Sequence, residues 1–105
     1  MEEYDKKRFN MNLMFRENYN RVIYISNLLD NYTFSNNLYY LSRQYEAFKR
    51  MHGEFIACDN IERCIIELHN ICLIISNSEV NIQLKEYYDE IENIKNILKS
   101  LLSIP

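Results

Sequence analysis

The sequence predicts an all-α protein, a single-domain antiparallel four-helix bundle, from three observations. The 105 residues include one Gly and one Pro, whereas a β-protein uses both residue types in its many tight turns. Four segments carry apolar residues at three- and four-residue steps, which form one stripe along a helix. Short polar stretches separate these segments, and short connections favour antiparallel neighbours. We therefore expect one helical domain over residues 1–105, with helices at approximately 4–30, 36–56, 60–75 and 79–102.

The first two helices are predicted from their apolar stripes and from turn residues. The first stripe has one polar member, Asn18, among Met11, Phe15, Val22, Ile25 and Leu29. The segment DNYTFSN, residues 30–36, indicates a loop, with Ser35 or Asn36 as the cap of the second helix. Gly53 indicates a C-cap or a kink near the end of that helix. The second stripe contains Leu38, Leu41, Tyr45, Phe48, His52 and Phe55.

Capping signals and longer stripes predict the third and fourth helices. Asp59 and Glu62 have the spacing of a capping box, and Ser78 can cap the fourth helix, with Glu79 in its first turn. The third stripe contains Ile61, Cys64, Ile65, Leu68, Ile71, Cys72 and Ile75. The fourth is a heptad stripe of Val80, Leu84, Tyr87, Ile91, Ile94, Leu98 and Leu101, a pattern that also permits a homodimer.

Charge and cysteine content exclude several classes of protein. The net charge of −3 disfavours direct binding of nucleic acid, which needs a basic excess. The charge is uneven, because residues 1–52 hold eight Lys/Arg against six Asp/Glu and residues 53–105 hold four against nine. No apolar run is long enough to span a membrane, and the first ten residues lack the apolar core of a secretory signal. Three cysteines without a disulfide spacing indicate free thiols in a reducing compartment, so we expect a cytoplasmic protein, or one in the host cytoplasm if the source is a phage or virus.

The histidines and cysteines do not predict a metal centre or a catalytic site. His69 and Cys72 share a helix face, but zinc needs three or four ligands and no second pair has ligand spacing. His52 lies within an apolar stripe, where we expect a core histidine bonded to Asn18 or to a Tyr hydroxyl, and a pH-sensitive role is the alternative. A single glycine excludes a phosphate-binding loop. We therefore expect no cofactor, no metal and no enzymatic activity.

One spacing keeps an enzymatic alternative open. Arg63 and His69 form an R-x5-H pattern, which resembles the R-x4–6-H signature of HEPN ribonucleases, a family of helical bundles. The resemblance implies that Arg63 stabilises phosphate charge and that His69 acts as acid or base. That signature usually has a polar residue directly after the Arg, where this chain has Cys64.

Apolar residues outside the main stripe make the third helix the first candidate surface. Ile66 and Leu73 are one heptad apart and lie about 150° from the centre of its stripe, and Ile74 lies further round. Either the third helix is buried on both sides, or these side chains form an exposed patch of the kind that contacts a partner.

Tyrosines and acids suggest a second surface. In the adjacent pairs Tyr39–Tyr40 and Tyr87–Tyr88, one member must point away from the core, and exposed Tyr is favoured at interfaces. Acidic residues surround the second pair and would suit a basic partner surface or a nucleic-acid mimic, and the alternative is an ordinary solvated face. They are Glu86, Asp89, Glu90 and Glu92.

Together these features predict a small non-enzymatic protein-binding module. We expect its contact residues to be Ile66, Leu73, Ile74, Tyr88, Glu86, Asp89, Glu90 and Glu92. Fourteen Asn, fourteen Ile and nine Tyr suggest an AT-rich coding sequence and hence an inhibitor or adaptor of a phage, virus or mobile element. A bacteriocin-immunity protein, similar in size and architecture, is the alternative.

Overall fold

Four α-helices make up most of the chain. The computed structural model describes residues 2–29, 32–79 and 81–102. The helices are α1 (Glu3–Leu29), α2 (Tyr32–His52), α3 (Cys58–Ser76) and α4 (Lys85–Leu102), and a 3₁₀ turn at Ile82–Leu84 precedes α4. Since the described ranges contain no strand, the predicted all-α class is confirmed.

The helices form a flattened antiparallel bundle. Both α1 and α3 contact the other three helices, and the largest helix–helix contact joins α3 to α4. The molecule measures 46 × 26 × 17 Å, and α1, with 27 residues, is about 40 Å long at 1.5 Å per residue. The helices therefore follow the long axis, with α1 and α3 in the middle and α2 and α4 on the two sides.

The core follows the predicted stripes closely. All seven members of the α3 stripe are buried, as are four of the five apolar positions of the α1 stripe. In the fourth stripe, Ile91, Ile94, Leu98 and Leu101 are buried, whereas Tyr87 and, in the 3₁₀ turn, Leu84 are half-buried. Val80 lies outside the described residues. Apolar periodicity therefore located the inner face of each helix.

The predicted limits of α2 are wrong at both ends. The helix begins at Tyr32, so residues 32–36 are helical and neither Ser35 nor Asn36 is its cap. Phe34 is buried in the core, which stabilises this extra turn by burying apolar surface. At the other end α2 stops at His52, and Gly53, with φ of +79°, donates its N–H to the Lys49 carbonyl as a left-handed C-cap.

The predicted caps of α3 and α4 are also wrong. Ala57 is the N-cap of α3, and its side chain cannot form a capping bond. Because the helix starts at Cys58, Asp59 lies inside its first turn and is not the cap. The Ser78 hydroxyl donates to the carbonyl of Ile75 at the end of α3 and does not cap α4. Asn81 instead accepts from the backbone N–H of Gln83 and caps the 3₁₀ turn.

Asn12 fastens the loop between α2 and α3 to α1. Its amide Nδ2 donates to the carbonyl of Ile56 at 2.8 Å, and its Oδ1 accepts from the N–H of Ile56 at 2.9 Å. Nδ2 also donates to the Arg8 carbonyl. Because both Asn12 and Ile56 are buried, these bonds satisfy backbone groups that water cannot reach.

Candidate functional site

The outer side of α3 presents the three apolar side chains that the sequence singled out. Ile66 is 42% exposed, Leu73 37% and Ile74 39%, so the alternative in which α3 is buried on both sides is wrong. Ile66 also lines a shallow cleft between α2 and α3, together with Gln44, Arg63 and Glu67. The bundle covers one face of α3 and leaves the opposite face to solvent.

The acidic side of α4 is largely neutralised by cations of this chain. Asp89 pairs with Lys85 at 2.9 Å. Glu92 pairs with Lys95 and accepts a bond from the Ser76 hydroxyl. Of the four predicted acidic contact residues, Glu86 alone lacks an ion pair among the described residues. The surface therefore carries mixed charge, unlike the free acidic face that a nucleic-acid mimic would need.

Glu90 belongs to a polar cluster that joins α1 to α4. Both Glu90 carboxylate oxygens accept from the Arg21 guanidinium at 2.6 Å, and the bidentate bonds from Arg21 lower the pKa of Glu90. The Arg21 guanidinium also lies over the ring of Tyr24, which faces Tyr87 with 6.4 Å between ring centroids. Glu90 is thus committed to an internal contact, and the sequence did not indicate Arg21 as its partner.

The tyrosine pairs differ from the expected one-in, one-out arrangement. Tyr39 and Tyr40 are both exposed, and their rings pack edge to face with centroids 5.8 Å apart. Tyr87 and Tyr88 are both half-buried, and the Tyr88 hydroxyl donates to the carbonyl of Glu79. Adjacent helical residues are only about 100° apart, so a pair near the stripe's edge takes similar burial on both members.

The structure does not bring Arg63 and His69 together. Six residues of helix place them about 120° apart around α3. Arg63 is exposed beside Gln44 of α2. His69 is half-buried near Lys95 and Lys99 of α4, and burial and then these cations lower its pKa. For Arg63 to stabilise a phosphate on which His69 acts as acid or base, both side chains would have to reach that phosphate together.

The other histidine is not the core residue that the sequence predicted. His52 is exposed, and its Nε2 lies 2.8 Å from the amide Nδ2 of Asn60. Asn18, its expected partner, instead donates to the carbonyl of Met14. Because α2 ends at His52, its last turn lies beyond the part of the stripe that reaches the core.

The cysteines are packed as apolar side chains. Cys58, Cys64 and Cys72 are buried and unlinked, and burial raises the pKa of the Cys64 and Cys72 thiols to about 12. Thiolate is the form that binds metal or attacks an electrophile, so both thiols are held in their unreactive state. Within the described ranges, no three His, Cys, Asp or Glu side chains are placed to share a metal ion.

A cleft of about 220 Å³ with a mixed polar and apolar lining separates part of α1 from α2. Tyr19, Ser26, Ser35 and Ser42 contribute hydroxyl groups to its lining. The hydroxyl of Ser26 is buried and has no hydrogen-bond partner in the described part of the chain.

Comparisons with known proteins give no relative of this chain. No family model, no curated protein and no solved structure matches it. Among the helices in the described ranges, none combines the length and hydropathy needed to cross a membrane. The surface and its charges are therefore the basis for any assignment of function.

Proposed function

We propose that this protein is a non-enzymatic module that binds another protein through the outer face of α3. The observation that supports it is the group of three exposed aliphatic side chains, Ile66, Leu73 and Ile74. These lie on a helix whose other face is already buried in the core. Apolar side chains grouped on one exposed face typically mark a contact with a partner.

The mixed-charge side of α4 suits the edge of such a contact. Ser76 at the end of α3 bonds Glu92, so the α3 face continues directly onto the ion pairs of α4. An apolar centre with a polar rim is the usual anatomy of an interface. As part of this proposal we assign Tyr88, Glu86 and Asp89 to the rim, where single charges affect association rate and specificity more than affinity. An inhibitor or adaptor works through such a surface.

The first experiment separates an exposed face from a structural one. We expect Ile66→Asp/Leu73→Asp to keep the helical circular dichroism and the unfolding midpoint of the wild type, because exposed positions tolerate polar groups. Light scattering on both proteins then gives their solution mass. A dimeric wild type with a monomeric variant would make the second copy the partner. Unfolding of the variant would contradict the proposed surface.

The second experiment tests binding with peptides of random sequence. Random peptide libraries are panned against the wild type, and the selected peptides are titrated against the double variant. The matched control is Ile82→Asp, which changes an apolar side chain that is 84% exposed and lies off α3. We expect the peptides to lose at least about tenfold in affinity for the α3 variant and to bind the control unchanged. Equal binding to all three proteins would overturn the proposal.

A further inference from the structure

The side of α2 that faces away from the core has an unusual composition. It presents Tyr39, Tyr40, Arg43, Arg50 and Met51, which we name the α2 outer face. All five are exposed, and Tyr40 at 70% and Met51 at 71% are among the most exposed large apolar side chains of the protein. Tyr, Met and Arg are the residue types that are enriched in protein–protein interfaces.

The two arginines of this face lack acidic partners. The single carboxylate of α2 is Glu46, which pairs with Lys49 at 3.3 Å. Neither Arg43 nor Arg50 has an ion pair within the described chain. The arginines of α1 differ, because each of them lies against a carboxylate: Arg8 against Asp5, Arg16 against Glu54 and Arg21 against Glu90.

Two contacts with Tyr39 restrict the side chain of Arg43. Its guanidinium donates to the hydroxyl of Tyr39 at 3.0 Å and lies 5.8 Å from the centroid of that ring. These contacts restrict a side chain that would otherwise lose conformational entropy on binding. No carboxylate among the described residues pairs with the remaining guanidinium N–H groups, so they are available to one from outside.

The separation of Arg43 and Arg50 along α2 matches that of two acidic residues one heptad apart on a partner helix. Arg43 and Arg50 are seven residues apart, about 10.5 Å along α2, and lie on one edge of the face. Tyr40 and Met51 lie about 60–100° round the helix, on the other edge. The small side chain of Ala47 lies between the two edges, where a packed helix can approach closely with an apolar side chain.

We infer that the α2 outer face binds an acidic amphipathic helix of a partner protein. Two carboxylates of that helix, one heptad apart, pair with Arg43 and Arg50, and an apolar side chain between them packs on Ala47 beside Tyr40 and Met51. This inference rests on the proposed function of protein binding but uses a different face. Single-stranded nucleic acid also stacks on Tyr and pairs with Arg. Two unpaired arginines in a chain of net charge −3 offer too few phosphate contacts for it.

The test uses three synthetic probes and two charge variants of the full chain. The first probe is a fluorescent helical peptide of about three heptads, with Glu one heptad apart and Leu between. The second peptide has Lys at the Glu positions, and the third probe is a single-stranded oligonucleotide of similar length. Fluorescence anisotropy is measured for the wild type, Arg43→Glu/Arg50→Glu and Lys6→Glu/Lys7→Glu. The last is the matched control, because it makes the same change in net charge at two exposed lysines of α1.

We expect the wild type and the control to bind the Glu peptide, and the arginine variant to bind it at least about tenfold more weakly. Raising the salt from about 50 to about 300 mM should weaken the wild-type complex, because the carboxylate contacts lie at the surface. The Lys peptide should not bind.

Three outcomes would overturn the inference: no binding of the Glu peptide, equal binding of the Glu and Lys peptides, or tighter binding of the oligonucleotide than of the Glu peptide. The variants separate this result from the test of α3. If the α3 variant binds the Glu peptide normally and the arginine variant does not, binding by the α2 outer face is supported independently of the result for Ile66 and Leu73.

Discussion

The side-chain amide of Asn12 forms hydrogen bonds with both backbone polar groups of Ile56. A primary amide has a donor and an acceptor side by side, and Asn12 uses both on Ile56. Its position, 2% exposed beside Met11, is one at which an apolar residue would ordinarily be expected. Its two bonds hold the loop that connects α2 to α3 against α1.

We expect Asn12→Ala to lower the free energy of unfolding by about 2–4 kcal/mol. The variant leaves both the N–H and the carbonyl of Ile56 buried without partners, and each such group costs about 1–3 kcal/mol. Urea unfolding followed by circular dichroism measures the change. Asn70→Ala is the control, because Asn70 is exposed on α3 and its replacement should stay within about 0.5 kcal/mol of the wild type. Equal stability of the two variants would show that the Ile56 contact contributes little.

At the scale of the element, α2 shows that burial outweighs local turn signals. Ser35 and Asn36 favour a helix start by their capping chemistry, yet the helix begins at Tyr32, because Phe34 packs in the core. The end of α2 agrees better with its local sequence. The chain's single glycine takes a left-handed conformation at Gly53, which residues with a Cβ adopt only with strain.

We expect Gly53→Ala to destabilise the protein by about 1–2 kcal/mol through backbone strain alone. No atom lies within 4 Å of the position a Cβ would take, so steric overlap adds nothing. Gly53→Asn tests the cause, because Asn tolerates this conformation better than Ala, and it should lose less stability. The measurement is the urea midpoint of the three proteins. Greater loss for Asn than for Ala would indicate that crowding, and not backbone conformation, limits this site.

At the scale of the whole molecule, the uneven charge of the chain is partly used for folding. The N-terminal half is positive and the C-terminal half negative. Among the described residues, two ion pairs connect the halves, Arg16–Glu54 and Arg21–Glu90. The Arg21–Glu90 pair is bidentate, and this geometry is the one in which an exposed ion pair contributes most to the free energy of unfolding. Local pairs within α4 neutralise two further acids. Arg43 and Arg50 of α2 have no ion pair among the described residues, so the outer face of α2 carries positive charge.

We expect the Arg21–Glu90 pair to make stability depend on pH. Arg21 lowers the pKa of Glu90, so the folded state favours the ionised carboxylate. The stabilisation is therefore present above about pH 4.3, the usual value for Glu, and is lost as the pH falls through the lower folded-state pKa. Glu90→Gln should be less stable than the wild type at pH 7, and the difference should vanish by about pH 2.

Glu86→Gln is the control for that experiment, because Glu86 is an exposed acid of the same helix without an ion pair among the described residues. Its urea midpoint should follow the wild type at both pH values. If both variants lose the same stability at pH 7, the loss comes from general charge change and the bidentate pair contributes nothing specific.

The sequence by itself determined the helical class and the inner face of each helix, because apolar periodicity is a property of one helix and needs no neighbour. It identified Ile66, Leu73 and Ile74 as a second apolar group but left open whether they were covered. Tertiary structure alone decided that, since exposure depends on where the other helices lie, and α1, α2 and α4 all pack on the remaining faces of α3. For the same reason the pairing of Arg21 with Glu90, the Asn12 contact and the unpaired arginines of α2 could not be predicted. Each depends on which groups, distant in the chain, are brought together or kept apart in the bundle.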